Sequence, residues 1–308
     1  MQILPQAAST VAASVDSVEM LVFWVCLISF AIVMGMVIGF PILYSRKSDD
    51  DVTPDIRGNH VAEAIWTIIP TILCFVIFGA GLVVYNEMRA IPEDALEIQI
   101  TGRKWQWIFT YPDGKVVPNE MVVPAGKDIR LVMKSNDVIH SFFVPDFRIK
   151  QDVLPTAYTK LWFNAPEPGE HQVFCTEYCG TSHSGMLAKV KVLSQADFDA
   201  WSAPATDAGS DLPPEQLGQE AFSKFGCNAC HSIDGTTLVG PSLKGVFGKT
   251  EKLEGGATAV VDENYIMESV YDPNLKVVQG FGPIMPSFKG MASETEVRGL
   301  IAYIKTLK

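Results

Sequence analysis

Two long apolar runs dominate the first third of the chain: Leu21 to Tyr44 is 24 residues without a charged side chain, and Ile65 to Tyr85 is another 21. As α-helices they would measure about 36 and 32 Å, enough to cross a hydrocarbon core of about 30 Å. The first run is too long for the apolar region of a cleaved signal peptide, and a second follows after a short loop. The pattern therefore predicts a transmembrane hairpin within residues 1–90, with spans at about 21–44 and 65–85. The connecting loop holds Arg46, Lys47 and Arg57, whereas residues 1–20 hold no Lys or Arg. The bias of positive charge places the loop in the cytoplasm and both termini outside. Pro41 and Pro70 fall inside the spans, where neighbouring helices can satisfy the backbone groups they free, which predicts docking on a larger membrane subunit.

After Tyr85 the apolar period shortens to two, as in Leu96, Ile98, Ile100 and again Ile129, Leu131, Met133. Turn signals punctuate these runs at Pro-Asp-Gly (112–114), Pro-Ala-Gly (124–126) and Pro-Glu-Pro-Gly (166–169). This predicts a small all-β sandwich or barrel over residues 91–201, its last strand ending near Val192. Residues 202–214 read as a linker, and a third unit occupies 215–308. Its final segment predicts an amphipathic helix with Val297, Leu300, Ile301 and Ile304 on one face, opened by a capping box of Ser293 and Glu296.

Composition changes the picture in three places. The chain has 308 residues, 48% of them apolar, as expected if part lies in lipid. Its net charge of −11 comes without a basic patch, which argues against nucleic acid and leaves a cationic protein partner open. Of six cysteines, Cys26 and Cys74 sit in the apolar runs, while the other four form two close pairs with histidines nearby.

The sharpest motif is Cys227-Asn-Ala-Cys230-His231. Two thiols at this spacing can add to the two vinyl groups of one haem, and the adjacent histidine then becomes the proximal ligand. The competing readings are half of a zinc site or a thioredoxin-like pair. No second Cys or His pair follows to complete the zinc site, and no βαβ pattern surrounds the motif. A sixth iron ligand is needed. Met285, in Gly-Pro-Ile-Met-Pro-Ser-Phe, is favoured over Met267, which the apolar face of a helix needs, and over Met291, read as a cap or surface residue.

The second constellation is Cys175-Thr-Glu177-Tyr-Cys179-Gly-Thr-Ser-His183-Ser-Gly-Met186, with His140 upstream. A mononuclear blue copper site needs one thiolate, two imidazoles and a weak thioether; here there are two thiolates with the same remainder. Two bridging sulfurs would hold two coppers, each with one histidine (His140 or His183) and one weak ligand (Met186 or the Glu177 carbonyl). A Cys175–Cys179 disulfide or a zinc site competes, but zinc does not select a thioether such as Met186.

With these residues in order, the whole chain resembles subunit II of the haem-copper oxidases in the form with a C-terminal cytochrome c domain. The resemblance covers the two spans, Glu63-Ala-Ile-Trp-Thr at the second span, Trp105-Gln-Trp107, the His140 segment, the copper loop and the haem motif. It implies a multidomain fold: a two-helix transmembrane hairpin, an all-β cupredoxin sandwich with a dinuclear CuA centre, and an all-α class I-like cytochrome c domain. It also implies that Trp105 admits electrons to copper, with Trp107 structural. Glu63 would stand at the mouth of a proton path, against the plain reading of a solvated charge at a helix end. The Glu177 carboxylate would reach a magnesium ion shared with the catalytic subunit.

One departure is Pro155-Thr156-Ala157 after Lys150-Gln-Asp152, where the family commonly has Pro-Gly-Arg. His171 matches no family role and is expected as a surface residue at a turn, and His60 as part of the cytoplasmic loop. The implied function is electron inlet of a bacterial inner-membrane oxidase. Its donor would be cytochrome c or a quinol-oxidising complex, and its partner the subunit that reduces dioxygen and pumps protons. A nitric oxide reductase built with such a subunit, or a tethered electron carrier, are the alternatives.

Overall fold

The computed structural model describes residues 4–52, 57–203 and 212–308, so most of the expected linker (204–211) lies outside the described residues. Ser9–Ala90 forms one compact unit, and Ile91–Lys308 with the first residues of the chain forms the other.

The first unit is a helical hairpin of α1 (Ala12–Leu43) and α2 (His60–Arg89). Each helix starts before its predicted apolar run; α2 contains the whole of its run, and α1 all of its own but the last residue, Tyr44, which caps the helix. Asn59 fixes the start of α2 because its side chain accepts hydrogen bonds from the amides of Val61 and Ala62. His60 is thus the first residue of α2 rather than part of the loop. Pro41 and Pro70 lie inside the helices as expected. Both helices are long and apolar enough to cross a membrane, and the most apolar stretch of each has no buried residue. Large side chains such as Phe30 and Phe75 point outward, an arrangement suited to lipid or to other membrane helices.

The second unit opens with two five-stranded sheets. One runs in the order β3 (Val116–Pro118), β2 (Gln106–Thr110), β1 (Leu96–Arg103), β5 (Asp128–Ser135), β8 (Thr159–Asn164). The other runs β4 (Glu120–Pro124), β10 (Leu187–Leu193), β9 (Gly169–Cys175), β6 (His140–Val144), β7 (Ile149–Val153). Strand β5 alternates buried and half-buried residues with no break, so Ile129, Leu131 and Met133 enter the core as their spacing predicts. Trp107, Phe109, Phe142 and Phe163 fill the space between the sheets. Strand β6 pairs antiparallel with β9, placing Phe142 opposite Cys175, and this register brings the start of β6 to the end of β9.

His171 corrects an expectation. It lies within β9 opposite Val190, not at a turn, and its side chain is only 13% exposed. Its Nδ1 is 2.9 Å from Asp146 Oδ2, and its ring centroid is 4.6 Å from that of Phe147. The turn signal at 166–169 ends where the strand begins. After β10 an unpredicted short helix, α3 (Gln195–Ser202), is capped by Ser194 and packs Trp201 against Tyr111.

The remainder is helical: α4 (Pro214–Lys224), α5 (Glu263–Tyr271) and α6 (Glu294–Thr306), with one short hairpin of β11 (Thr250–Lys252) and β12 (Thr258–Val260). Helices α4 and α6 cross backbone to backbone, because a Cβ on Gly218 would lie 2.0 Å from the Gly299 carbonyl oxygen. The capping box of Ser293 and Glu296 is formed, and Val297, Leu300, Ile301 and Ile304 are buried. Met291 is not a surface residue: it packs, half-buried, against this core, as does Met267 on α5.

Candidate functional site

The β6–β9 pairing sets the first site. His140 opens β6, Cys175 closes β9, and the loop after it returns through a 3-10 turn (His183–Gly185) to β10. Cys175 Sγ lies 3.8 Å from Cys179 Sγ, 3.9 Å from His140 Nδ1 and 3.4 Å from the Glu177 carbonyl oxygen. Cys179 Sγ lies 3.4 Å from His183 Nδ1 and 3.8 Å from Met186 Sδ. All six expected ligand groups therefore converge, and the two cysteines are unbridged thiols. Glu177, whose backbone carbonyl joins this cluster, is itself an exposed residue.

Asp137 completes the arrangement. Its Oδ1 is 2.8 Å from His140 Nε2, and its carboxylate also accepts from the amides of Lys104 and Val138. Burial works against the charge on Asp137, but these donors outweigh it and hold its carboxyl below the ordinary range. A carboxylate at Nε2 fixes the proton there and turns the Nδ1 lone pair toward the sulfurs. For His140, burial opposes protonation, while Cys175 and Asp137 favour it and raise its pKa on balance.

The two thiols titrate as a pair. A hydrogen bond from Cys179, working with His140 against burial, holds the first proton loss, at Cys175, well below the usual thiol range. The resulting thiolate's hold on the Cys179 proton, with burial, pushes the second loss up. A cation between the sulfurs would replace the shared proton. Two thiolates, two imidazole Nδ1 atoms, a thioether and a carbonyl form a soft donor set that suits copper.

The second site follows α4. Gly226 takes φ +69° and turns the chain into the tight turn Cys227–Ala229. His231 Nδ1 donates to the Pro241 carbonyl at 2.8 Å, leaving Nε2 free, and burial lowers its pKa, so the ring is the neutral form a metal needs. Gly240 permits this packing, since a Cβ there would stand 2.7 Å from His231 Cε1. Burial also pushes the Cys227 thiol up to about 12.

Cys227, Cys230, His231 and Met285 line one apolar cavity of about 180 Å³; Met267 and Met291 do not reach it. Two thiols and a neutral imidazole with a thioether in the same apolar cleft fit a covalently held haem. Trp105 lines this cavity too, and its Nε1 donates to the Cys179 carbonyl at 3.2 Å. Trp107 is buried, edge-on to the His140 ring, as a structural residue would be. Glu63 lies in the first turn of α2, in the other unit, half-exposed and 3.2 Å from His60 Nδ1.

Sequence reasoning did not find Asp137, although a carboxylate three residues before a ligand histidine was a usable signal. It also passed over Gln106, Asn119 and Ser182, which carry no spacing signature.

Three family models match the chain. The family model described as the transmembrane domain of cytochrome c oxidase subunit II matches residues 1–81, the model of its periplasmic domain matches 115–194, and a cytochrome c model matches 215–308. A cytochrome c oxidase subunit 2 of Alkalihalophilus pseudofirmus is 32% identical over 278 residues, covering 86% of this chain and 79% of the relative. The chain belongs to the cytochrome c oxidase subunit II family. Another member, from Synechocystis, is 27% identical, covering 70% of this chain and 78% of its own length. A crystal structure of the periplasmic domain of subunit II from Bradyrhizobium japonicum is 32% identical, covering 36% of this chain and 94% of that one, with a TM-score of 0.35. A subunit II with these two apolar helices is a membrane protein of two spans, joined to a cupredoxin-like sandwich and a helical cytochrome c domain.

Proposed function

We propose that this chain is the electron inlet of a membrane cytochrome c oxidase, and that it passes electrons through a haem c and a dinuclear copper centre to the catalytic subunit that reduces dioxygen. Cys227 and Cys230 would hold the haem covalently, and His231 and Met285 would supply its iron ligands. His140, Cys175, Cys179, His183, Met186 and the Glu177 carbonyl hold the copper pair. Bound there, haem and copper supply one-electron redox chemistry. The residues of the chain supply geometry: Asp137 and Pro241 fix the imidazole tautomers, and the β6–β9 register fixes the sulfurs.

The observation that carries this reading is Trp105, which lines the haem cavity and donates to the backbone of a copper ligand, so one indole touches both sites. Electrons enter copper at Trp105. The division into residues 1–90, 91–201, 202–214 and 215–308 follows, with both termini and the metal-bearing domains on the periplasmic side and the loop of Arg46, Lys47 and Arg57 in the cytoplasm. Glu63, half-exposed at the cytoplasmic end of α2, opens a proton path into the catalytic subunit. The exposed Glu177 carboxylate reaches a magnesium ion at the subunit boundary. The donor is a cytochrome c or a quinol-oxidising complex.

The test uses the intact complex, with the haem of this chain reduced and dioxygen and nitric oxide consumption followed in parallel. Rapid dioxygen uptake with little nitric oxide turnover is expected. The reverse would make this the inlet of a nitric oxide reductase.

A further inference from the structure

Helix α4 ends at Lys224, and the last carbonyls of a helix have no partner within it. Here the partners come from the sandwich. Gln106, 4% exposed, donates its Nε2 to the Phe225 carbonyl at 2.7 Å, and Arg103 holds the same amide through its Oε1 at 2.8 Å. Asn119 Nδ2 reaches the Lys224 carbonyl at 3.4 Å, while its Oδ1 is held by the Trp107 amide. Ser182, inside the copper loop and next to His183, donates its hydroxyl to the Ala229 carbonyl at 2.9 Å, between the two haem cysteines. The fit leaves no slack at Gly226, where a Cβ would lie 2.7 Å from Asn119 Nδ2.

We propose that Gln106, Asn119 and Ser182 form a clamp that holds the haem-attachment segment on the face of the sandwich that carries Trp105, and that these are positioning residues for electron passage from haem to copper. The proposal rests on the function assigned above. The clamp works because each donor is anchored on its own side: Gln106 by Arg103, Asn119 by the Trp107 amide, and Ser182 by the loop that binds copper. Under it Trp105 is only 9% exposed, so the indole faces the haem cavity rather than solvent. With haem and copper bound, these residues would hold the two sites for a one-electron transfer, in which the reduced haem would lose the electron that the oxidised copper pair gains.

The test compares the full-length chain with Ser182→Ala, Gln106→Ala, and Ser182→Thr as the conservative variant that keeps the hydroxyl. Two readouts are taken: backbone hydrogen exchange over residues 103–107, and the internal rate of electron transfer after photoreduction of the haem. Losing one hydrogen bond worth about 1 kcal/mol makes opening of the clamp several-fold more frequent, and exchange in the segment faster to match. Ser182→Ala lies outside that segment, so its effect there reports the clamp and not a local change.

The expected result is faster exchange and a slow phase of electron transfer in both alanine variants, with haem and copper spectra unchanged and Ser182→Thr behaving as wild type. Exchange and transfer equal to wild type in Ser182→Ala and Gln106→Ala would overturn the clamp. A wild-type chain without haem or copper signatures would instead overturn the functional assignment, and exchange would still decide whether the clamp exists.

Discussion

The indole of Trp105 donates to the carbonyl oxygen of Cys179, a cysteine of the proposed copper site, across 3.2 Å, while the same side chain forms part of the wall around Cys227, Cys230 and His231. Removing the donor while keeping an aromatic ring separates the two contacts. Trp105→Phe is expected to retain both chromophores and to slow haem-to-copper transfer, measured by flash photolysis. Trp105→Ala is expected to slow it further, because the wall itself is lost. An unchanged rate in Trp105→Ala would remove this residue from the path.

Asp137 stands behind His140 at the proposed copper site without joining the donor cluster. Its carboxylate fixes the proton on His140 Nε2 at 2.8 Å and so presents Nδ1 to the metal. Carboxylate partners of ligand histidines typically account for about 10- to 100-fold in metal affinity. Asp137→Ala should weaken copper binding by that order, read by competition with a chelator, and Asp137→Asn by less, since an amide oxygen can still accept the hydrogen bond. Haem attachment should be unaffected in both.

Much of this was legible in the sequence, because thiolate, imidazole and thioether chemistry admits few residue types. The loop from Cys175 to Met186 announces itself by spacing alone. His140 lies 35 residues from Cys175, and only the pairing of β6 with β9 joins them, which spacing does not encode. The clamp residues were not legible at all. Gln106, Asn119 and Ser182 are ordinary polar side chains whose role comes from what stands opposite them in space. His171 was misread because the turn signal before it ends where β9 begins, and its burial depends on Asp146 and Phe147 arriving from another segment.

The copper pair has its own test. In the full-length chain, electron spin resonance should give the pattern of one unpaired electron shared by two copper nuclei, as two free thiols with sulfurs 3.8 Å apart allow. Met186→Leu removes the thioether buried beside Cys179, and should shift the copper potential while keeping the shared pattern and the haem spectrum. A pattern from a single copper in the wild type would reduce the site to mononuclear.

Among the described residues, one methionine reaches the cavity lined by Cys227, Cys230 and His231. Met285 lines it, while Met267 and Met291 pack elsewhere against the core. Met285→Leu should abolish the sulfur-to-iron absorption band of the oxidised haem and lower its potential, since thioether ligation raises it. Met267→Leu and Met291→Leu should leave the band in place. Persistence of the band in Met285→Leu would assign the ligand to one of the other two.

Acid should loosen the haem domain through Glu296. This carboxylate closes the capping box on Ser293 and pairs with Lys224 Nζ at 2.7 Å, tying the start of α6 to the end of α4. Burial opposes its charge, but Lys224 and the Ser293 amide outweigh burial and hold its pKa below the ordinary 4.5. The unfolded chain therefore binds this proton more readily than the folded one. The stability it contributes is present above pH 4.5 and is lost as pH falls through the lower folded value. Glu296→Gln keeps the capping-box hydrogen bond but loses the charge paired with Lys224, and should cost up to about 1 kcal/mol at neutral pH. The gap between wild type and variant should close in acid, measured by denaturant unfolding of the full-length chain followed through the haem absorbance. A gap that stays constant from neutral pH to well below 4.5 would mean that the charge of Glu296 contributes nothing, and that only its hydrogen-bonding shape matters.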